Sequence, residues 1–149
     1  MDSERETVVR VTPNAPWLPP GGRAEVVRRT LPPRPMSIVR LLLRRDGQAF
    51  CIPRSETGKL DLPTRRTDAD DPDGSLTIRA LAAEVMGVDT ELTFVGAVRN
   101  VVERSTNDYA WPTPLAHFGV WASPDAPLID GTWVDLATLA DRHWHPLVD

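Results

Sequence analysis

Residues 59–89 read KLDLPTRRTDADDPDGSLTIRALAAEVMGVD, and the rest of the chain is organised around them. The stretch opens with a short apolar segment ending at Leu62-Pro63. A polar loop comes next, holding Asp68, Asp70, Asp71 and Asp73, and then a predicted helix over residues 75–86. Gly87 stands where a left-handed C-cap is expected, because only glycine reaches that conformation without steric cost. The order is strand, acidic loop, helix and glycine stop.

Working outward, 149 residues suit one domain with a real core. A hydrophobic content of 41% with 26% charged residues is ordinary for a globular protein. The formal charge of -4 supplies no global field to gather nucleic acid, and none is expected as a partner. Lys59 is the sole lysine among 17 basic residues, and the arginines do not collect into one basic run. Cys51 is the only cysteine, which excludes an internal disulfide and a cysteine metal cluster. No stretch approaches the ~20 apolar residues of a membrane span. The acidic start MDSERETVVR lacks the apolar core of a signal peptide, so a cytoplasmic location is expected.

Residues 1–35 read as a proline-rich N-terminal arm and residues 36–149 as the domain proper. Residues 7–11 could form a strand, but Pro13, Pro16, Pro19, Pro20, Pro32, Pro33 and Pro35 interrupt the chain beyond it. The arm either packs irregularly on the domain or covers a ligand cleft or a partner in a homodimer; Trp17, beside Leu18, is its anchor. Residues 37–53 read as a hairpin, with Asp46-Gly47 a strong two-residue turn signal. Strands are expected at 60–63, 92–102, 115–122 and 132–134, with Gly96 a bulge or a close approach. Asp135 is placed to N-cap a closing helix over residues 136–142.

The hairpin, the D-L-P segment, the acidic loop and the helix with its glycine stop resemble the opening and signature box of the Nudix hydrolases. That box reads G-x5-E-x7-R-E-U-x-E-E-x-G-U, where U is a bulky aliphatic residue. The resemblance covers residues 36–148 and implies an α/β fold, an α/β/α sandwich on a mixed β-sheet. It also implies cleavage of a nucleoside diphosphate linked to another group, with Mg²⁺ or Mn²⁺ bound by helix glutamates. Hard cations take oxygen ligands, and a pyrophosphate needs its charge neutralised and water activated. Anchored on Gly87, the glutamate positions fall on Leu81, Glu84 and Val85. Anchored on Arg79, they fall on Ala80, Ala83 and Glu84. The glycine anchor is preferred, since lengthening a loop is cheaper than inserting a helical residue. In either register Glu84 is the one helix carboxylate retained, the candidate catalytic residue and metal ligand.

Asp71 falls at the upstream glutamate of the box when counted from Leu62-Pro63, and Glu103 comes just after the long strand; both are candidate further ligands. The competing readings are a solvated turn for the aspartates and a surface position for Glu103. Arg65, Arg66 and Arg99, with Arg54 and Arg104, could fork onto phosphates. Tyr109 and Trp111 could stack on a base, although core packing serves Trp111 equally. His143-x-His145 lacks the third ligand of a zinc site. The leading expectation is a Nudix-type hydrolase with a degenerate box acting on a nucleotide-type small molecule. The alternative is a catalytically silent Nudix fold that binds a nucleotide or a protein partner.

Overall fold

The computed structural model describes residues 5–87 and 90–148. The first four residues of the predicted arm, and Val88-Asp89 at the end of the deciding stretch, lie outside them. The chain is an α/β fold on a mixed β-sheet. The described residues form ten strands: β1 (Glu6–Thr12), β2 (Arg23–Arg29), β3 (Met36–Leu42), β4 (Arg44–Arg45), β5 (Gln48–Pro53), β6 (Leu60–Asp61), β7 (Thr64–Arg66), β8 (Thr93–Val101), β9 (Leu115–Ala122) and β10 (Thr132–Asp135). The one α-helix among the described residues is α1 (Ser75–Met86).

The main sheet has six strands in the order β1-β2-β8-β9-β3-β7. It is mixed because β3 runs parallel to β9 while the other neighbours are antiparallel. A second sheet, β10-β5-β4, carries β6 on β5. Alternation along β3 divides the core between the two faces of the main sheet. Val39 and Leu41 pack with Ile78, Leu81, Val85 and Trp121 under α1. Leu42 joins Phe118, Leu62, Leu139, Trp144 and Leu147 on the opposite face. Each such side chain contributes about 1.5–3 kcal/mol through burial.

Three expectations are corrected. Residues 23–29, read as part of an irregular arm, form β2 between β1 and β8, with Ala24, Val26 and Val27 buried. The hairpin of residues 37–53 exists only at its tip, where Arg45 pairs with Gln48 around Asp46 (φ 51°) and Gly47 (φ 78°). These positive angles match the twist of the flanking strands. Beyond the tip the chain changes sheet at Leu43, so β3 and β5 belong to different layers. The closing helix is a 3-10 turn, Leu136–Leu139, with a second at His145–Val148. Asp135 does not cap it. Its carboxylate accepts Gln48 Nε2 at 3.1 Å, while the Leu136 N–H is held by the Gly47 carbonyl at 3.0 Å.

The predicted helix bounds agree with α1, but Gly87 is not left-handed helical. Its φ of 93° and ψ of -158° lie in a region essentially reserved for glycine, and its N–H still closes the helix onto the Ala83 carbonyl. Gly96 combines both expected roles: β8 slips register against β9 between Phe94 and Gly96, and a Cβ there would stand 2.3 Å from the Val27 carbonyl oxygen. Backbone cannot yield as a side chain can. Gly96→Ala should therefore destabilise the fold by about 1–3 kcal/mol or more, seen as a lower urea midpoint. An unchanged midpoint would show that β2 and β8 can separate there at no cost.

Candidate functional site

A cleft of about 870 Å³ opens on the face of the main sheet opposite α1. Ile38 and Arg40 of β3, Val98 and Asn100 of β8 and Phe118 of β9 line it from the sheet. Ile52 and Pro53 of β5, and Leu62, Thr64, Arg65 and Arg66 around β7, line it from the side. Trp17, His143 and Trp111 complete the lining. Trp17 stacks on His143 with ring centroids 4.3 Å apart, so the predicted arm anchor does reach the cleft. Trp111 meets Phe118 edge-on at 5.1 Å, and the Arg66 guanidinium lies 4.5 Å from its ring centroid. A smaller hollow of about 340 Å³ continues past Arg66 and Trp111 towards Asp68 and Pro112.

The charge in this cleft is one-sided. Arg40, Arg54, Arg65 and Arg66 line it, against Glu56 as the acidic member of the lining. Arg54 donates from Nη2 to Oδ2 of the buried Asp61 at 2.5 Å. Arg65 pairs with Glu84 of α1. Arg66 is exposed and rests on Trp111, where the ring face attracts a guanidinium.

Glu84 is exposed on α1. The preferred box register does not fit the helix: Leu81 is 3% exposed and Val85 1%, both packed against the sheet. Ala80, Ala83 and Glu84 share the exposed side, so the register anchored on Arg79 is the one that faces solvent. Asp71 is 4% exposed, and both its oxygens are engaged by the helix start. Oδ1 accepts the Leu76 N–H at 3.2 Å; Oδ2 accepts the Thr77 N–H at 2.7 Å and the Thr77 hydroxyl at 2.6 Å. Asp73 accepts the Ser75 N–H at 3.0 Å. Two aspartates thus satisfy three otherwise orphaned donors of α1, where negative charge also suits the helix dipole. Asp68 and Asp70 are exposed, as are Glu103 and Arg104 at the start of the 103–114 loop.

Glu84, Asp71 and Glu103 do not assemble into a ligand set, and among the described residues no group of three or more His, Cys, Asp or Glu side chains is arranged to hold a metal ion. The donor set does not fit a resident Mg²⁺ or Mn²⁺. His143 and His145 also go separate ways, the first to Trp17 and the second to the Leu136 carbonyl at 3.0 Å.

Arg99 and Tyr109 do not line the cleft. Val98 and Asn100 take the cleft side of β8, so alternation sends Arg99 to the other face. There its Nη atoms reach Glu6 and Glu25, at 2.9 and 3.1 Å, and its Nε donates to His117 Nε2 at 2.9 Å. His117 Nδ1 is 3.0 Å from the Pro35 carbonyl, which fits a neutral ring protonated at Nδ1. Desolvation is the main force lowering its pKa to about 4, and the Arg99 charge adds to it. Tyr109 turns inward, and burial raises its pKa. Sequence reasoning missed Arg40, Asn100 and Asp61. The signal for Arg40 was available: it is the charged residue inside the apolar run SIVRLLL.

No protein-family model and no curated protein matches the chain. Among solved structures, the E. coli ORF135 protein is similar in fold, at 14% identity over 76% of this chain and 86% of that one, with a TM-score of 0.50. An ADP compounds hydrolase aligns at 15% identity over 99% of this chain and 95% of that one, with a TM-score of 0.45. Among the described residues, no helix is long and apolar enough to cross a membrane.

Two measurements test these assignments. Asp71→Ala should lower stability by about 0.5–2 kcal/mol, the usual cost of losing a helix cap, and by the same amount with or without Mg²⁺. A loss seen only in Mg²⁺ would make Asp71 a ligand. For His117, the unfolded chain takes up a proton below pH 6.5 that the folded chain refuses until about 4. Stability is therefore complete above pH 6.5 and falls as pH drops towards 4. His143, also lowered by desolvation, adds in the same direction. His117→Asn should flatten most of that decline; a slope identical to wild type would place its origin elsewhere.

Proposed function

We propose that this chain is a Nudix-like domain that binds a nucleotide-type phosphorylated small molecule in the arginine-lined cleft, and that it is catalytically silent or nearly so. The observation that carries the reading is the Arg66–Trp111 pair on a cleft lined by further arginines. Arg66 against Trp111 offers a fork for phosphate oxygens beside a flat surface for a ring, and Arg54 and Arg65 add positive charge nearby. A cleft of about 870 Å³ is at the upper end of small-molecule sites and holds a nucleotide with room to spare.

The case against efficient hydrolysis rests on where the carboxylates are. Asp71 is bound into the helix start, and Glu84 is the one acid left on the exposed side of α1. A second reading has one observation in its favour. Glu84 is paired with Arg65, and Arg65 also lines the cleft. A phosphate that draws Arg65 away would leave Glu84 unpaired on α1, where it could act as a slow general base only for a ligand that reaches round β7 from the cleft.

The test is a panel of nucleoside diphosphates and their conjugates, studied by calorimetry for binding and by phosphate or nucleotide release for turnover. Binding should be measurable with wild type and weakened about tenfold or more by Arg66→Ala, as expected for losing a charged hydrogen bond of roughly 1.5–3 kcal/mol. Turnover should be slow or absent. Fast release abolished by Glu84→Gln would reject silence and establish the hydrolase; fast release indifferent to that change would move the catalytic site. Absence of binding across the panel would remove the nucleotide reading altogether.

A further inference from the structure

Arg40 is the residue in the cleft whose chemistry the fold leaves unsatisfied. It leaves β3 on the same face as Ile38 and Leu42, while Val39 and Leu41 pack under α1. Its partners across the sheet are Thr64 on β7 and Val120 on β9, neither of them acidic. Its Nε is buried without a hydrogen-bond partner, and no ion pair with Arg40 forms among the described residues. The guanidinium lines the cleft wall. Burial lowers its pKa to about 10, so it still carries its charge at neutral pH.

The one acid that acts on it is Asp61, and Asp61 is already occupied. Oδ2 takes Arg54 at 2.5 Å. Oδ1 takes the Leu62 N–H at 2.8 Å and Trp144 Nε1 at 2.9 Å, with Arg142 Nε a further 4.0 Å away. Arg40 is half-buried and its Nε is shut off from water without a partner, which is costly, and the usual remedy is an anion brought to it. Two further cationic or ionisable groups stand close by. Arg54 repels Arg40, and His143 feels the charge of both arginines. Ile38, Ile52 and Leu62 supply apolar walls that would strengthen any charge–charge contact made there.

This cluster is not the Arg66–Trp111 pair. Arg66 lies opposite Ile38, and Arg40 is two residues farther along β3, about 7 Å away at strand rise. The separation exceeds that of neighbouring oxygens on one phosphate. We propose that Arg40, flanked by Arg54 and His143, is a second anion subsite, which takes a compact oxyanion (a phosphate or a carboxylate) remote from the group held at Arg66. The ligand class that fits both subsites is a nucleotide-type phosphate whose attached group carries its own negative charge. That class rests on the nucleotide reading above; the subsite itself does not.

The probes are inorganic phosphate and acetate, each titrated into the full chain while the ¹⁵N-labelled arginine Nε–H signals and the melting temperature are monitored. In wild type the Arg40 Nε–H signal should shift and the melting temperature should rise with the anion. A response to phosphate alone, to acetate alone or to both identifies the oxyanion, and each supports the subsite. Arg40→Met removes the charge, keeps the stem and breaks no native bond, so it should melt no lower than wild type without anion and lose at least tenfold in anion affinity. An Arg40 signal indifferent to both anions would overturn the proposal without recourse to any variant. So would undiminished anion binding in Arg40→Met, or a melting temperature several degrees lower in the absence of anion, which would give Arg40 a structural partner. The two proposals fail separately. Nucleotide binding that needs Arg66 but ignores Arg40→Met sinks the second subsite alone. Phosphate bound at Arg40 with no nucleotide bound anywhere sinks the nucleotide reading alone.

Discussion

Asp61 has no exposed surface, and the architecture around the cleft converges on its two oxygens. A buried carboxylate costs several kcal/mol to desolvate and is tolerated only when nearly all its lone pairs are used. Here Arg54 comes from the loop after β5, the Leu62 N–H from the chain itself, and Trp144 and Arg142 from the C-terminal segment. The bond to Trp144 matters most for the fold, because that ring is 1% exposed and fills the core on the cleft side of the sheet. One carboxylate thereby fastens the C-terminal 3-10 turns to β6. It also fixes the loop that carries Arg54 into the cleft. Since its capacity ends there, Arg40 has no acid to pair with. The cleft's charge imbalance is a consequence of how the core is tied together.

Five further acids are likewise committed to structural donors. Asp71 and Asp73 serve the first turn of α1, Glu6 and Glu25 serve Arg99, and Glu84 serves Arg65. The Arg99 bond is the leading influence lowering Glu6, whose pKa sits below its ordinary value. These carboxylates are tied up by structural donors, and the cleft keeps more arginines than acids in its lining. A net charge of -4 gives no hint of this, because a ligand in the cleft feels mainly what lies within the ~10 Å screening length.

What the sequence revealed was local, and what it hid was register. The helix was legible to the residue, because an acidic loop and a glycine bracket a run with no breaker inside it. The Asp46-Gly47 turn, β8, β9 and the bulge at Gly96 were legible for the same reason. β2 was hidden by prolines on both sides and by arginine at Arg23, Arg28 and Arg29, although Ala24 and Val26 do alternate as a half-buried strand should. Arg99 was misassigned to the cleft through parity alone. The face of a strand cannot be told without its pairing, and a one-residue slip inverts it. The same difficulty governs α1, where Glu84 is common to both box registers and only burial of Leu81 and Val85 separates them.

The helix is held in place by its ends and its inner side and not by its exposed side, and relative strengths explain why. Its entry is set by buried bonds to Asp71, and its exit by Gly87 and by the Leu128 N–H, which donates to the Val85 carbonyl at 2.7 Å. Its inner side is held by Ile78, Leu81, Ala82 and Val85. Those contacts are desolvated and individually worth a kcal/mol or more. The exposed side contributes little: a solvent-facing pair such as Arg65 with Glu84 is worth about 0–1 kcal/mol. Alanine at Ala80 and Ala83 therefore leaves the helix intact, and is the residue that favours helix most. A loop–helix unit of this shape is held by its buried contacts whatever its exposed side carries, so its presence identifies an architecture and not an activity.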